Sequence, residues 1–182
     1  MEIKFKLVKH GKQLWTRELA RKVRRDLLRA LDTKVKAGEA ATLVIDVKQV
    51  EVFDYSFANE LFGKTLLSLP NEYPGVILVV ENLNEYTREN LAQALETLGL
   101  MVVERTGKNL HLIGKVAPSD KETFEAIAKM DEPVPSGQLT EILKINVSAM
   151  NERLSKLTDL GLLRRSKGVS SAGREQFVYS VR

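Results

Sequence analysis

Arg164, Arg165 and Lys167 stand close together near the C-terminal end, and Arg174 follows across a turn rich in glycine and serine. Just upstream, Asn146, Ser148, Ala149, Asn151, Glu152, Arg153, Ser155 and Lys156 share one arc of a stretch whose apolar residues recur every three or four positions. Guanidinium and ammonium groups neutralise phosphates, and Asn, Ser and Arg side chains hydrogen-bond to base edges as well as phosphates. Glu152 repels phosphates but can accept from a cytosine amino group. These residue types at this spacing point to non-covalent recognition of a nucleic-acid duplex. Covalent chemistry has no comparable support: there is no glycine-rich phosphate loop, no Ser-His-Asp order in a recognisable context and no supported carboxylate pair. His10 and His111 are the only histidines, far apart and without ligand spacing, so neither a metal nor another cofactor is expected, and the chain is not expected to be an enzyme.

A set of elements must hold that arc and those cations. Val147, Met150, Leu154 and Leu157, with Leu160 at the end, give the apolar face of a helix opened by Asn146 or Ser148. Gly161 allows a left-handed stop. Leu162 and Leu163 then enter a sheet, Arg164 to Lys167 begin a hairpin, Gly168 and Gly173 let it turn, and Phe177 and Tyr179 alternate on the returning strand. Upstream, Lys115 to Ser119 form a linker. Ser119 to Glu122 read as a capping box opening a helix to about Met130. Asp131 to Pro135 make a turn, and Ser136 caps a second helix bearing Leu139, Ile142 and Leu143. From Leu143 onward eight basic residues face three acidic ones, a net +5, whereas Ser119 to Ile142 carry a net −4. A module polarised in this way draws a polyanion to one face only.

The helix Met150-Asn-Glu-Arg-Leu-Ser-Lys-Leu157, then Gly161-Leu-Leu-Arg-Arg165, then Gly173-Arg-Glu-Gln-Phe-Val-Tyr179, resembles the winged helix-turn-helix domains of bacterial regulators over residues 119–182. That resemblance implies a third helix in the major groove and a wing, Arg165 to Arg174, along a phosphate backbone or minor groove of double-stranded DNA. A homodimer is expected, because two half-sites about 34 Å apart multiply weak single contacts. The alternative use of such a module is protein contact alone.

The N-terminal part alternates strand and helix. Glu2 to Lys9 alternate apolar and polar, and Thr16 caps a helix carrying Leu19, Val23, Leu27, Ala30 and Leu31 that is expected to end at Gly38. Thr42 to Val47 and Gly75 to Val80 read as buried strands, and Val50 to Phe53 as a short one. A helix runs from Asp54 to about Leu69, and another begins at Asn84 or Thr87 and ends at Gly99. Met101 to Glu104 and Leu110 to Ile113 are the last strands of this half. Parallel pairing is the default, with helices on the sheet faces.

Val44-Ile-Asp46, then Val50 to Gly63, together with Leu14 to Ala20, resemble the STAS-like domains related to anti-sigma-factor antagonists, over about Met1 to Val116. The antagonists carry a phosphorylated serine just beyond a strand-end aspartate, and Ser56, after Asp54, falls at that position. Tyr55 and Phe57 replace the small residues that flank it there. A phosphate on Ser56 would meet the unpaired N–H groups of a helix start; equally, Ser56 simply caps the helix. The resemblance also implies a histidine-kinase-like ATPase or an anti-sigma factor as partner.

Absence of cysteine rules out disulfides and thiolate metal sites and fits a reducing cytoplasm. No signal peptide, membrane span or membrane partner is expected. The basic side of the first helix, Arg17, Arg21, Lys22, Arg24, Arg25 and Arg29, reads as a solvated face or an acidic-partner site, and Trp15 as a staple or an exposed contact. The expected fold is α/β (a STAS-like mixed sheet with helices), residues 1–116, followed by a small α+β winged helix-turn-helix domain, residues 117–182. The expected function is DNA-binding transcription regulation. The alternative is a protein-interaction adaptor in an anti-sigma/kinase partner-switching pathway whose winged helix does not bind DNA.

Overall fold

The structure is a computed structural model that describes residues 1–36, 38–170 and 173–181. Arg182, one of the basic residues counted above, lies outside the described residues, as do positions 171 and 172 in the expected wing.

The first part of the chain runs β1 (Glu2–Lys6), a 3-10 turn (Leu7–His10), β2 (Gln13–Leu14), α1 (Arg17–Asp32), β3 (Ala41–Asp46) and β4 (Val52–Phe53). It continues with α2 (Tyr55–Ala58), a π-turn (Asn59–Gly63), α3 (Lys64–Glu72), β5 (Val76–Glu81), α4 (Glu85–Leu98), β6 (Met101–Thr106) and β7 (Asn109–Gly114). Five strands form a mixed sheet in the order β1-β3-β5-β6-β7, the first four parallel and β7 antiparallel to β6. All six residues of β5 are buried, as expected of a central parallel strand covered on both faces.

One face of that sheet is covered by α1 to α4. Ala20, Val23, Leu27 and Leu31 of α1 meet Ile3, Leu43, Ile45, Leu78 and Val80, with Phe53, Phe57, Phe62, Leu91 and Leu95 completing the cluster. Thr16 caps α1 as expected, accepting from the Leu19 N–H at 3.3 Å. The helix ends at Asp32, not Gly38. Lys34 and Val35 both donate to the Leu31 carbonyl, and this turn lets Val35 pack back onto the core. Tyr55 to Glu72 run without a break through the π-turn, with Pro70 inside the last turn rather than after it.

The other face is covered by the rest of the chain. This part comprises α5 (Pro118–Ala128), β8 (Val134–Pro135), α6 (Ser136–Leu143), α7 (Val147–Asp159), β9 (Arg164–Val169) and β10 (Glu175–Ser180). Three antiparallel strands lie in the order β8-β10-β9. Val44, Ile77, Val79, Met101 and Val103 on the first sheet belong to one continuous cluster with Phe124, Ile127, Met150, Leu154, Leu157, Leu162, Leu163 and Tyr179. The chain passes from one group of elements to the other near Lys115 to Ala117, but the core does not divide there.

Three local expectations are corrected. Ala117 is the N-cap of α5, with Pro118 in the first turn and no side-chain cap, so the capping box at Ser119 does not form. Proline pre-sets the first-turn φ and starts the helix early. Pro135, held extended by its pairing with Val178, is the N-cap of α6, which leaves Ser136 inside that helix. Val147 is 60% exposed rather than buried, because as the first residue of α7 it projects beyond the cluster.

Gly114 ends β7 with φ 108°, and a Cβ there would lie 2.4 Å from the Leu100 carbonyl oxygen and 2.9 Å from Leu95 Cβ. Neither neighbour can retreat, since one is backbone and the other is the root of a buried side chain. Gly114→Ala should therefore cost on the order of 3 kcal/mol, read as a lowered urea midpoint. An unchanged midpoint would contradict this packing.

Candidate nucleic-acid interface

The turn into α7 is set by Lys144, in the left-handed region at φ 53°. Asn146 then caps the helix, its Oδ1 accepting from the Ala149 N–H at 2.8 Å. This leaves the Asn146 amide nitrogen outward. Met150, Leu154 and Leu157 turn inward, so Ser148, Asn151, Glu152 and Ser155 are exposed along the opposite side and Ala149 is half-buried.

Two expected contact residues are turned elsewhere. Arg153 is only 22% exposed; its Nη1 meets Glu122 at 2.9 Å and Thr123 Oγ1 at 3.3 Å, both on α5. Lys156 Nζ lies 2.6 Å from Asp120 Oδ2, a carboxylate that is 2% exposed. A carboxylate buried that deeply needs a cation. Arg153 and Lys156 therefore fasten α7 to α5. Ser155 Oγ donates to Asp159 at 3.3 Å, and the exposed side of α7 carries Glu152 and Asp159 beside Lys156, whose ammonium is paired with Asp120.

Arg164 is the larger correction. Its Nε donates to the Gly75 carbonyl at 3.0 Å, and its Nη2 to the Ala41 carbonyl at 2.7 Å and Thr42 Oγ1 at 2.8 Å. Burial lowers its pKa. It pins the start of β9 to the first sheet and does not face the open side of the hairpin. Alternation along β9 puts it and Arg165 on opposite sides, but which of the two meets the first sheet is decided by the placement of β9 against Ala41 and Gly75.

Arg165, Lys167 and Arg174 are exposed on the hairpin. The Arg165 guanidinium sits 4.8 Å from the Phe177 ring centre, an arrangement that holds it in place while leaving it hydrated on its other side. Lys167 lies 3.6 Å from Glu175, both largely exposed, a pair that contributes little. Phe177 and Tyr179, two apart, share one face. Tyr179 reaches the core and Phe177, further out, is half exposed.

The other expected site is at the start of α2. Asp54 is the cap, accepting from the Phe57 N–H at 2.7 Å, and Ser56 Oγ donates to both Asp54 oxygens at 3.0 Å. The reading of Ser56 as the cap is thereby corrected: the longer reach of aspartate, one residue before the helix, takes the free N–H, and Ser56 sits in the first turn. Nearby, Trp15 is 45% exposed and precedes Thr16, a non-glycine residue at φ 75°. On α1, Arg21 pairs with Glu60, and Arg24 reaches Ser68, whereas Arg17, Lys22 and Arg25 are exposed.

Across the first sheet, Arg105 bridges Glu2 and Glu81, while Lys4 bridges Glu81 and Asp46. The hydrogen bond from Arg105 holds the Glu2 carboxyl below its ordinary pKa. Burial pushes the Asp46 carboxyl up, but hydrogen bonds from Asn82 and the Lys48 N–H, with the charge of Lys4, outweigh it and hold the group down. Both folded-state pKa values are thus below the unfolded ones. Stability from these groups is present above the ordinary carboxylate range and is lost as pH falls through the lowered values. Urea midpoints measured from about pH 5 down to about pH 2 should fall, and Glu2→Gln should flatten the fall; an equal fall in the variant would contradict this assignment. His10 stacks on Phe5 with ring centres 5.4 Å apart, and burial lowers its pKa. Among the described residues no group of three or more His, Cys, Asp or Glu is arranged to hold a metal ion.

A family model described as a STAS-like domain of unknown function (DUF4325) matches residues 20–88, from within α1 to the start of α4. No curated protein matches the chain. A solved structure described as a "Possible transcriptional regulator from Methanosarcina mazei Go1" is similar at 20% identity with a TM-score of 0.33, over 37% of this chain and 57% of that one. No helix among the described residues is long and apolar enough to cross a membrane. Over β3, β4, β5 and the helices between them, what the chain is similar to is the STAS-like domain family.

Proposed function

We propose that the chain is a DNA-binding transcriptional regulator in which residues 117–182 form a winged helix-turn-helix domain and residues 1–116 a STAS-like partner-binding or sensing domain. The observation that carries this reading is the open side of α7 beside the hairpin. Asn146, Ser148 and Asn151 are exposed at the start of the helix, and Arg165, Lys167 and Arg174 are exposed on the adjoining strands and turn. The element order α5, β8, α6, α7, β9, β10, with β10 between β8 and β9, supports the winged-helix reading. The helix start would enter the major groove and the hairpin cations would lie along phosphates. A second subunit would double the contacts and set the half-site spacing. Fluorescence anisotropy with the full chain and duplex DNA tests this: affinity should fall steeply with salt.

A second reading, the protein-docking adaptor, is favoured by one observation. The exposed side of α7 carries Glu152 and Asp159, its two cations are committed to α5, and Val147 and Ile142 are exposed nearby. Under that reading no duplex binds at any salt concentration.

In either case Ser56 is where a kinase-type partner would act. A phosphate there breaks both hydrogen bonds to Asp54 and sets two anions side by side at the start of α2. Ser56→Asp should cost about 1 kcal/mol of stability, and Ser56→Ala less, as read by thermal melting. If both variants also leave partner and DNA binding unchanged, Ser56 is no switch.

A further inference from the structure

The joint between the two groups of elements leaves a cleft of about 710 Å³ on the face of the first sheet, below the base of the hairpin. That size falls in the range of small-molecule sites. Its walls include Thr42, Val79 and Leu110 from the sheet, Lys108 from the β6–β7 turn, and Arg164 and Val181 from the C-terminal part. The chemistry is divided: Val79, Leu110 and Val181 offer an apolar floor, and the charged lining is Arg105, Lys108 and Arg164 with one carboxylate, Glu2, which is paired with Arg105.

Arg164 is the unusual member. Its Nε and Nη2 hydrogens go to Gly75, Ala41 and Thr42, and Nη1 makes one long contact, 3.4 Å, to the Val181 carbonyl. A guanidinium has five N–H donors, so one on Nη1 has no partner among the described residues. Every partner is neutral. Among the described residues no carboxylate forms an ion pair with it, although it is half-buried. No anion among the described residues offsets the desolvation of this cation. Arg105, on the same cleft, differs: Glu2 and Glu81 take its hydrogen bonds. Lys108 is exposed and has no ion pair among the described residues.

We propose that this cleft binds a small organic anion, with its charged head between Arg164 and Lys108 and a short apolar body against Val79, Leu110 and Val181. The head is a carboxylate or a phosphate ester; both supply the missing charge and accept from a guanidinium. Such a ligand touches both sheets and ties the base of the hairpin to the first sheet. The site does not depend on DNA binding, and its test uses none.

The test is a methyl NMR titration of the full chain with benzoate, phenyl phosphate and neutral benzyl alcohol. The Val79, Leu110 and Val181 methyl signals are followed, with thermal melting in parallel. At least one anion should shift those signals saturably and raise the melting temperature, and the better of the two identifies the head group. Benzyl alcohol should act roughly tenfold more weakly, and Lys108→Glu, an exposed change, should weaken the anion by about tenfold or more. The proposal is overturned if neither anion moves those methyls, if benzyl alcohol matches the anions, or if Lys108→Glu binds as the parent does.

Discussion

Replacing Arg165, Lys167 and Arg174 together by alanine should weaken duplex binding by roughly 100-fold at about 0.1 M salt and reduce the salt slope by two to three units. Each of the three is exposed, and none is held by a buried acid. Their loss should remove phosphate contacts without disturbing the core, so the melting temperature should stay close to the parent's. The loss should be similar for unrelated duplex sequences, because phosphate contacts carry no base information. Arg164 must be left intact in this experiment. Its hydrogen bonds to Gly75, Ala41 and Thr42 make Arg164→Ala a test of how the two groups of elements are joined. A triple variant that bound DNA like the parent would remove the hairpin from the interface.

Phe124→Ala should lower stability by about 3–5 kcal/mol, the range for emptying a fully buried aromatic site. Phe124 is wholly buried, and it belongs to the cluster shared by the first sheet and the C-terminal helices. The damage should therefore spread to both halves. Trp15, the single tryptophan, lies in the first half and reports on it, whereas far-ultraviolet circular dichroism reports on the whole chain. In urea the two signals should move together to a lower midpoint. If the tryptophan midpoint stayed in place while the dichroism split into two steps, the halves would be folding independently and the shared core would be refuted. The same continuity bears on signalling. Units joined by an apolar core do not swing freely, so a signal from the first sheet to the hairpin has to pass through that packing or through Arg164.

The sequence is most legible where a residue's role is decided by its own element. The β-branched run of β5 and the three-and-four spacing in α1 and α7 give strand and helix directly, and Asn146 and Thr16 mark helix starts that the structure keeps. The reading loses force where a second element decides. Arg153 and Lys156 look free on a helical wheel, and only the placement of α5, with Glu122 and buried Asp120, gives them ion-pair partners. Arg164 and Arg165 are chemically alike and adjacent, yet strand alternation sends one to the first sheet and the other over Phe177. Helices do lie on the sheet faces, but not all of them come from the crossovers: α1 to α4 share one face, and α5 and α7 of the C-terminal part cover the other, because apolar residues at Val44, Ile77 and Val79 still need a partner there. At the start of α2 the sequence offers both Ser56 and the strand-end Asp54 as caps, and it is the Asp54 carboxylate that takes the Phe57 N–H.

The most direct measurement is an amide NMR titration of the isotopically labelled full chain with a duplex at low salt. The account predicts that the largest shifts fall on Asn146 to Glu152 and on the hairpin around Arg165, Lys167 and Arg174, and that they fade as salt is raised. Shifts confined to the basic side of α1, or no shifts on duplex addition, would contradict it.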